Sequence, residues 1–159
     1  MTLSAFAKQY TTTPGQMTAV AERRFRDAEA LFETGQNDRA NGVVYLCGIC
    51  IEILLKAQLM KLYPETARKQ SQQSMGKRER EIWSLIWRSH SLDDMLVQNP
   101  KLAAGVRKKG ERDQKPYLDW LKAICGTWTV YIRYSSYTTA MGDAKDMLNR
   151  ARELKEVLK

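Results

Sequence analysis

The chain has 159 residues, a formal net charge of +8, 43% hydrophobic and 28% charged residues. That length suits one domain with a sizeable core, and that balance excludes an intrinsically disordered chain. No unbroken apolar run reaches the roughly 18 residues of a membrane span, and Met1 to Tyr10 lacks the charged start and apolar stretch of a signal peptide, so no membrane and a cytoplasmic setting are expected.

Residues 1–16 read as an N-terminal arm, with turn chemistry at Thr11, Thr12, Thr13, Pro14 and Gly15. Residues 17–159 read as a single helical domain. The first helix is predicted from about Met17 to Glu33, where Val20, Phe25, Ala28, Leu31 and Phe32 recur near helical spacing. Thr34-Gly35 supplies its stop. Asp38 is placed to cap a second helix, which runs to about Tyr63 and is ended by Pro64. Val43, Leu46, Ile49, Ile51, Leu54, Leu55 and Leu59 leave this helix little polar surface, which puts it in the middle of a bundle.

Two basic insertions follow, near 65–87 and 98–115. Between Pro64 and Lys115 there are twelve Lys/Arg against seven Asp/Glu, a net of +5; the remaining fourteen against eleven leave +3. Glu65 to Arg80 reads as a loop or frayed helix, followed by a short helix with Ile82, Trp83, Leu85, Ile86 and Trp87. Another helix starts near Ser89 to Leu96, with a serine as its cap. Asn99-Pro100 reads as an interruption, and Lys101 to Lys115 as a loop. The helical pattern resumes over Tyr117 to Tyr134 and again over about Thr139 to Leu158. The expected fold is all-α, an antiparallel up-and-down four-helix bundle with extra short helices and loops.

Cys47 and Cys50 form a Cys-x-x-Cys, with Cys125 elsewhere. A redox pair sits at a helix start beside a strand. This pair lies midway along an apolar helix with no second pair, so it reads as packing, and no metal or cofactor is expected.

Four segments resemble one known family, the HEPN domain (higher eukaryotes and prokaryotes nucleotide-binding). They are Arg24 to Leu31, Tyr45 to Ala57 with its Glu52 and Lys56-Ala57, His90 to Leu96 with its His-x-Leu, and Arg133-Tyr134 with the helix after it. Many HEPN proteins are metal-independent ribonucleases with an Arg, four to six residues, then a His. Here Thr138, Thr139 and Ala140 occupy that spacing after Arg133, and Trp83, Ser84 and Leu85 occupy it before His90, the single histidine. The resemblance is therefore to the branch found beside a nucleotidyltransferase or acting as a nucleotide-binding module. It implies a homodimer, and a non-catalytic protein that binds a nucleotide or RNA or presents substrate to a nucleotidyltransferase partner. Two alternatives stay open: a ribonuclease toxin of a toxin-antitoxin or defence system with a non-standard site, and an interaction module whose basic loops hold an acidic partner or antitoxin.

The candidate ligand-binding residues are Glu52, Lys56, His90, Arg133 and Tyr134. Glu52 and Lys56, four apart, either line a polar pocket or form a structural pair. His90 either meets a phosphate or pairs with Asp93 or Asp94. An Arg133 fork with a Tyr134 ring suits a phosphate and a base, or else a helix-terminal arginine and packing. Arg78, Arg80, Arg107, Lys108 and Lys109 are candidate nucleic-acid contacts. Trp83 and Trp87, one turn apart, suit stacking on single-stranded nucleic acid or burial in a dimer interface.

Overall fold

A computed structural model describes residues 12–67 and 75–159. Among the described residues there are seven α-helices: α1 (Pro14–Glu33), α2 (Ala40–Leu62), α3 (Lys77–Arg88), α4 (Leu92–Val97), α5 (Pro100–Asp113), α6 (Tyr117–Thr127) and α7 (Met141–Val157). Tight 3₁₀ turns at Asn37–Arg39, Pro64–Ala67 and Val130–Tyr134 punctuate them.

α1 starts three residues earlier than its apolar spacing implies. The Thr13 hydroxyl accepts the Gln16 N–H at 3.1 Å, and the Gln16 side chain accepts the Thr13 N–H at 2.9 Å. This reciprocal capping box, with Pro14 at the first helical position, makes the turn-forming residues a helix start. The structured chain thus reaches back into the expected arm; residues 1–11 lie outside the described residues. At the other end Gly35 takes φ +68° and its N–H reaches Phe32 O at 3.1 Å, as its Thr-Gly stop requires.

α2 is the axis of the molecule, with 13 of its 23 residues buried. Asp38 does not cap it: the residue lies in the preceding 3₁₀ turn, and no side chain caps the helix start. By length and composition Asn37–Leu62 is long and apolar enough to cross a membrane, but 67% of its most apolar stretch is buried inside the protein. Ile51, Leu54, Leu55 and Leu59 are buried to 1% exposure or less, and burial of each such side chain contributes about 1.5–3 kcal/mol.

Helix directions follow from the contacts at their ends. Thr12 N–H reaches Ala67 O, and Leu31 lies against Gly42, so α1 runs antiparallel to α2. Asn41 bonds Thr139 while Gln58 bonds the Leu158 carbonyl, so α7 runs parallel to α2. Lys155 pairs with Glu22 and Arg152 with Glu29, which sets α7 antiparallel to α1. Tyr117 at the start of α6 meets Glu153 late in α7, and Trp128 just beyond α6 rests on Gly48 early in α2.

The expected loop at 101–115 is a helix. Asn99 Oδ1 accepts the Leu102 N–H at 3.1 Å, and Pro100 occupies the first turn. Val106 and Gly110 are buried along one stripe of α5. A Cβ at Gly110 would press on the Lys115 backbone carbonyl, so this glycine permits the close return into α6. The expected loop at 65–80 is partly ordered: Pro64–Ala67 is a 3₁₀ turn and α3 begins at Lys77, while 68–74 lie outside the described residues. α6 ends at Thr127, and 130–134 tighten into a 3₁₀ turn in place of continued α-helix.

Candidate functional site

One face of α2 carries the polar chemistry. Tyr45, Gly48, Glu52 and Lys56 follow one another at helical spacing, which aligns them along about 16 Å of helix. The same face therefore presents an aromatic ring, a gap, an acid and a base.

Glu52 and Lys56 are both buried, at 4% and 8% exposure, and Lys56 Nζ donates to Glu52 Oε1 at 2.6 Å. His90, at the loop between α3 and α4, closes the group from outside: its Nδ1 lies 3.1 Å from both Glu52 oxygens. An ionised carboxylate only accepts hydrogen bonds. In the neutral imidazole, Nδ1 therefore carries the proton and Nε2 is left as the bare nitrogen. The His90 side chain is 53% exposed. Neither Asp93 nor Asp94 is its partner; their helix is capped instead by Ser91, whose Oγ accepts the Asp94 N–H.

His90 lines a cleft of about 420 Å³. Residues 88–92 form one wall, and Cys125 with residues 128–131 the other. Among the described residues no carboxylate lines it. The Ser89 and Thr129 hydroxyls each accept a nearby backbone N–H, as Ser91 does, so all three keep an O–H to donate. With the Arg88 guanidinium and the Tyr131 phenol, the cleft is rich in donors and suits an anion with several acceptor oxygens. Arg88 is itself stationed over the Trp83 ring, 5.0 Å from its centre.

Trp128 sets the inner wall. It is 8% exposed and its indole edge lies directly on Gly48, where a Cβ would overlap it. Its Nε1 is buried against the helix with no hydrogen-bond partner among the described residues. The Tyr45 ring stacks on Trp128, with centres 6.3 Å apart and planes 27° from parallel.

Arg133 and Tyr134 belong to a neighbouring cluster and do not join the Glu52 group. Arg133 Nη1 donates to the Tyr45 hydroxyl at 3.3 Å, and its guanidinium lies 4.7 Å from the Tyr134 ring centre. Both are exposed, and they follow the cleft wall that ends at Tyr131. Three of the five expected residues thus converge, and the other two lie one element away.

The basic candidates stand apart from this cleft. Arg78 and Arg80 are exposed in the first turn of α3, with Arg78 3.7 Å from Glu81. Arg107 and Lys108 are exposed on α5, while Lys109 is half-buried and paired with Asp113 at 2.6 Å. Trp83 is buried, and Trp87 Nε1 donates to the Thr66 carbonyl at 2.8 Å, which ties α3 to the turn after α2. Both indoles pack within this chain.

Burial pushes the thiols of Cys47, Cys50 and Cys125 up to about 12. All three are free and buried, and such thiols are poor nucleophiles and metal ligands.

Trp128 fits the helical pattern of 117–134 and Tyr45 opens the second resembling segment, but helical spacing alone marks neither of them, nor Arg88, as a site residue. The signal for Tyr45 was available, since it shares a helix face with Glu52; that for Trp128 was the bare Gly48, a gap that some large side chain fills. Comparison with protein-family models, with curated proteins and with solved structures finds no match to the chain.

Proposed function

We propose that this protein binds the phosphate of a nucleotide or of RNA in the cleft beside His90 and does not cleave it. On this reading α1, α2, α6 and α7 form an up-and-down four-helix bundle of the HEPN type, paired as a homodimer. The observation that carries the proposal is the cleft lining among the described residues: one arginine, a histidine that as imidazolium also donates from Nε2, three hydroxyls and a phenol, with no carboxylate. Such a lining attracts a polyoxyanion and discriminates against cations. ATP, AMP and inorganic phosphate are the probes. Each is expected to raise the melting temperature of the wild-type protein, with the shift lost in Arg88→Ala and His90→Ala. Unchanged shifts in both variants would overturn the proposal.

A second reading, a ribonuclease with an unusual site, is favoured by the Glu52–His90 contact. A carboxylate that fixes Nδ1 leaves Nε2 available as a general base. RNA cleavage by the purified protein, abolished in both His90→Ala and Glu52→Gln, would establish that reading in place of the first.

A further inference from the structure

Large hydrophobic side chains exposed to water are few in the described residues, and three of them, all tyrosines, fall within seven positions. Tyr131, Tyr134 and Tyr137 are 71%, 72% and 79% exposed. From Trp120 to Gly142 the sequence has no Asp or Glu, whereas Lys122 and Arg133 are present.

The segment that bears these rings is held firmly. The Thr129 hydroxyl caps the 3₁₀ turn, Ser135 N–H closes it on Ile132 O at 3.1 Å, and the Tyr137 N–H donates to Ser135 Oγ. The Asn41 side chain then clamps it to the start of α2. Its Nδ2 donates to the Tyr137 carbonyl and its Oδ1 accepts the Thr139 N–H, both at 2.7 Å. Arg133 backs Tyr134 and also reaches Tyr45, which stacks on the Trp128 wall of the cleft. The rings are exposed while their backbone is fixed, so little ordering remains to be done on binding.

In a 3₁₀ turn, positions three apart lie on one side and about 6 Å apart along the axis. Tyr131 and Tyr134 have that relation. Two rings separated by a third stacked between them are about 7 Å apart, twice the roughly 3.4 Å stacking step. Tyr131 is also a lining residue of the cleft, so the row of rings begins where the anion site ends.

We infer that Tyr131, Tyr134 and Tyr137 form a stacking platform for the bases of single-stranded nucleic acid whose phosphate enters the cleft beside His90. This rests on the proposed function and makes its ligand a strand of several nucleotides. A second copy of the chain is the competing occupant, and the exposed area disfavours it. Three tyrosines of about 200 Å² each, some three-quarters exposed, offer about 450 Å², against about 800 Å² per partner in a stable interface. The absence of acid and the flanking Arg133 and Arg88 match a phosphodiester backbone.

The test is fluorescence anisotropy with a labelled RNA hexamer, a DNA hexamer of the same sequence, an abasic hexamer, and UMP as competitor. The hexamer is expected to bind at least tenfold more tightly than UMP. Tyr131→Ala, Tyr134→Ala and Tyr137→Ala should each weaken it about fivefold or more, with the salt dependence unchanged because no charge is lost. Tyr134→Trp should retain binding. Equal RNA and DNA affinities assign the recognition to the bases alone, and RNA preference adds the 2′-hydroxyl; both outcomes fit the platform. Abasic binding equal to that of the hexamer would overturn it, as would alanine variants without effect. Dissociation of a dimer by those variants in sedimentation, with RNA affinity unchanged, would assign the rings to a second copy. Hexamer loss in the tyrosine variants but not in Arg88→Ala would keep the platform and remove the cleft reading. UMP binding lost in Arg88→Ala, with no gain from strand length, would do the reverse.

Discussion

Two lysine–glutamate pairs, each with a buried lysine and built from the same residue types, do different work in this molecule. Lys155 on α7 reaches Glu22 on α1 at 2.8 Å, beneath the Phe25 ring, and joins two helices far apart in sequence. Lys56 and Glu52 lie on one helix, four residues apart, with side chains 10% and 5% exposed. A pair within one helix cannot fasten that helix to another. What it presents outward is a carboxylate with spare acceptor capacity, and His90 takes it. The first pair reads as a fastening, and the second as the foundation of a site.

The sharpest way to break this contrast is Glu52→Ala, which leaves Lys56 buried without its acceptor. Removal of one partner from a buried pair costs about 3–5 kcal/mol, and urea unfolding should show a loss of that order. The double variant Glu52→Leu with Lys56→Met should regain most of it, since apolar residues of similar volume replace a buried pair with little loss. If the double variant is as unstable as the single one, the pair is structural in a way the contrast denies.

Lys155→Met is expected to cost about 1 kcal/mol, because Glu22 is partly solvated and keeps Lys159 as a partner. Burial alone would raise Glu22, but the hydrogen bonds donated by Lys155 and Lys159 hold it below the usual 4.5. A carboxyl depressed in the folded state stabilises it above its unfolded value, and that stability is lost as pH falls through the folded value. Acid unfolding of the wild type should therefore steepen below pH 4.5, and Lys155→Met should show a shallower acid limb.

The smallest effect on stability is expected from His90→Ala. The ring is half exposed, and loss of its contact should cost about 1 kcal/mol or less. Its effect on ligand-induced thermal shifts should be near complete. Large in binding and small in folding is the signature that separates a site residue from a fastening.

Much of this was legible in the sequence. Apolar density marked α2 as central, and the spacing of Glu52 and Lys56 placed them on one face. Two helix starts look like breaks in the sequence for a shared reason. Thr13-Pro14 and Asn99-Pro100 look like punctuation, yet Thr and Asn are capping residues and Pro suits the first helical turn. A capping residue followed by proline opens a helix more readily than it ends one. The basic run over α5 hid its narrow apolar stripe of Leu102, Val106 and Gly110. The cleft itself could not be read from periodicity, because His90, Glu52 and Trp128 are brought together across 38 and about 80 residues of chain.

The seat of Trp128 on Gly48 gives the cleft walls unequal compliance. On one side the indole rests on helix backbone with no slack beneath it, and an outward move would open a void costing about 24 cal/mol per Å³. On the other side residues 89–91 are a short loop at the surface. On the proposed function, adjustment to a guest would fall on the His90 side, with the tryptophan as the fixed reference against which the guest's thickness is measured.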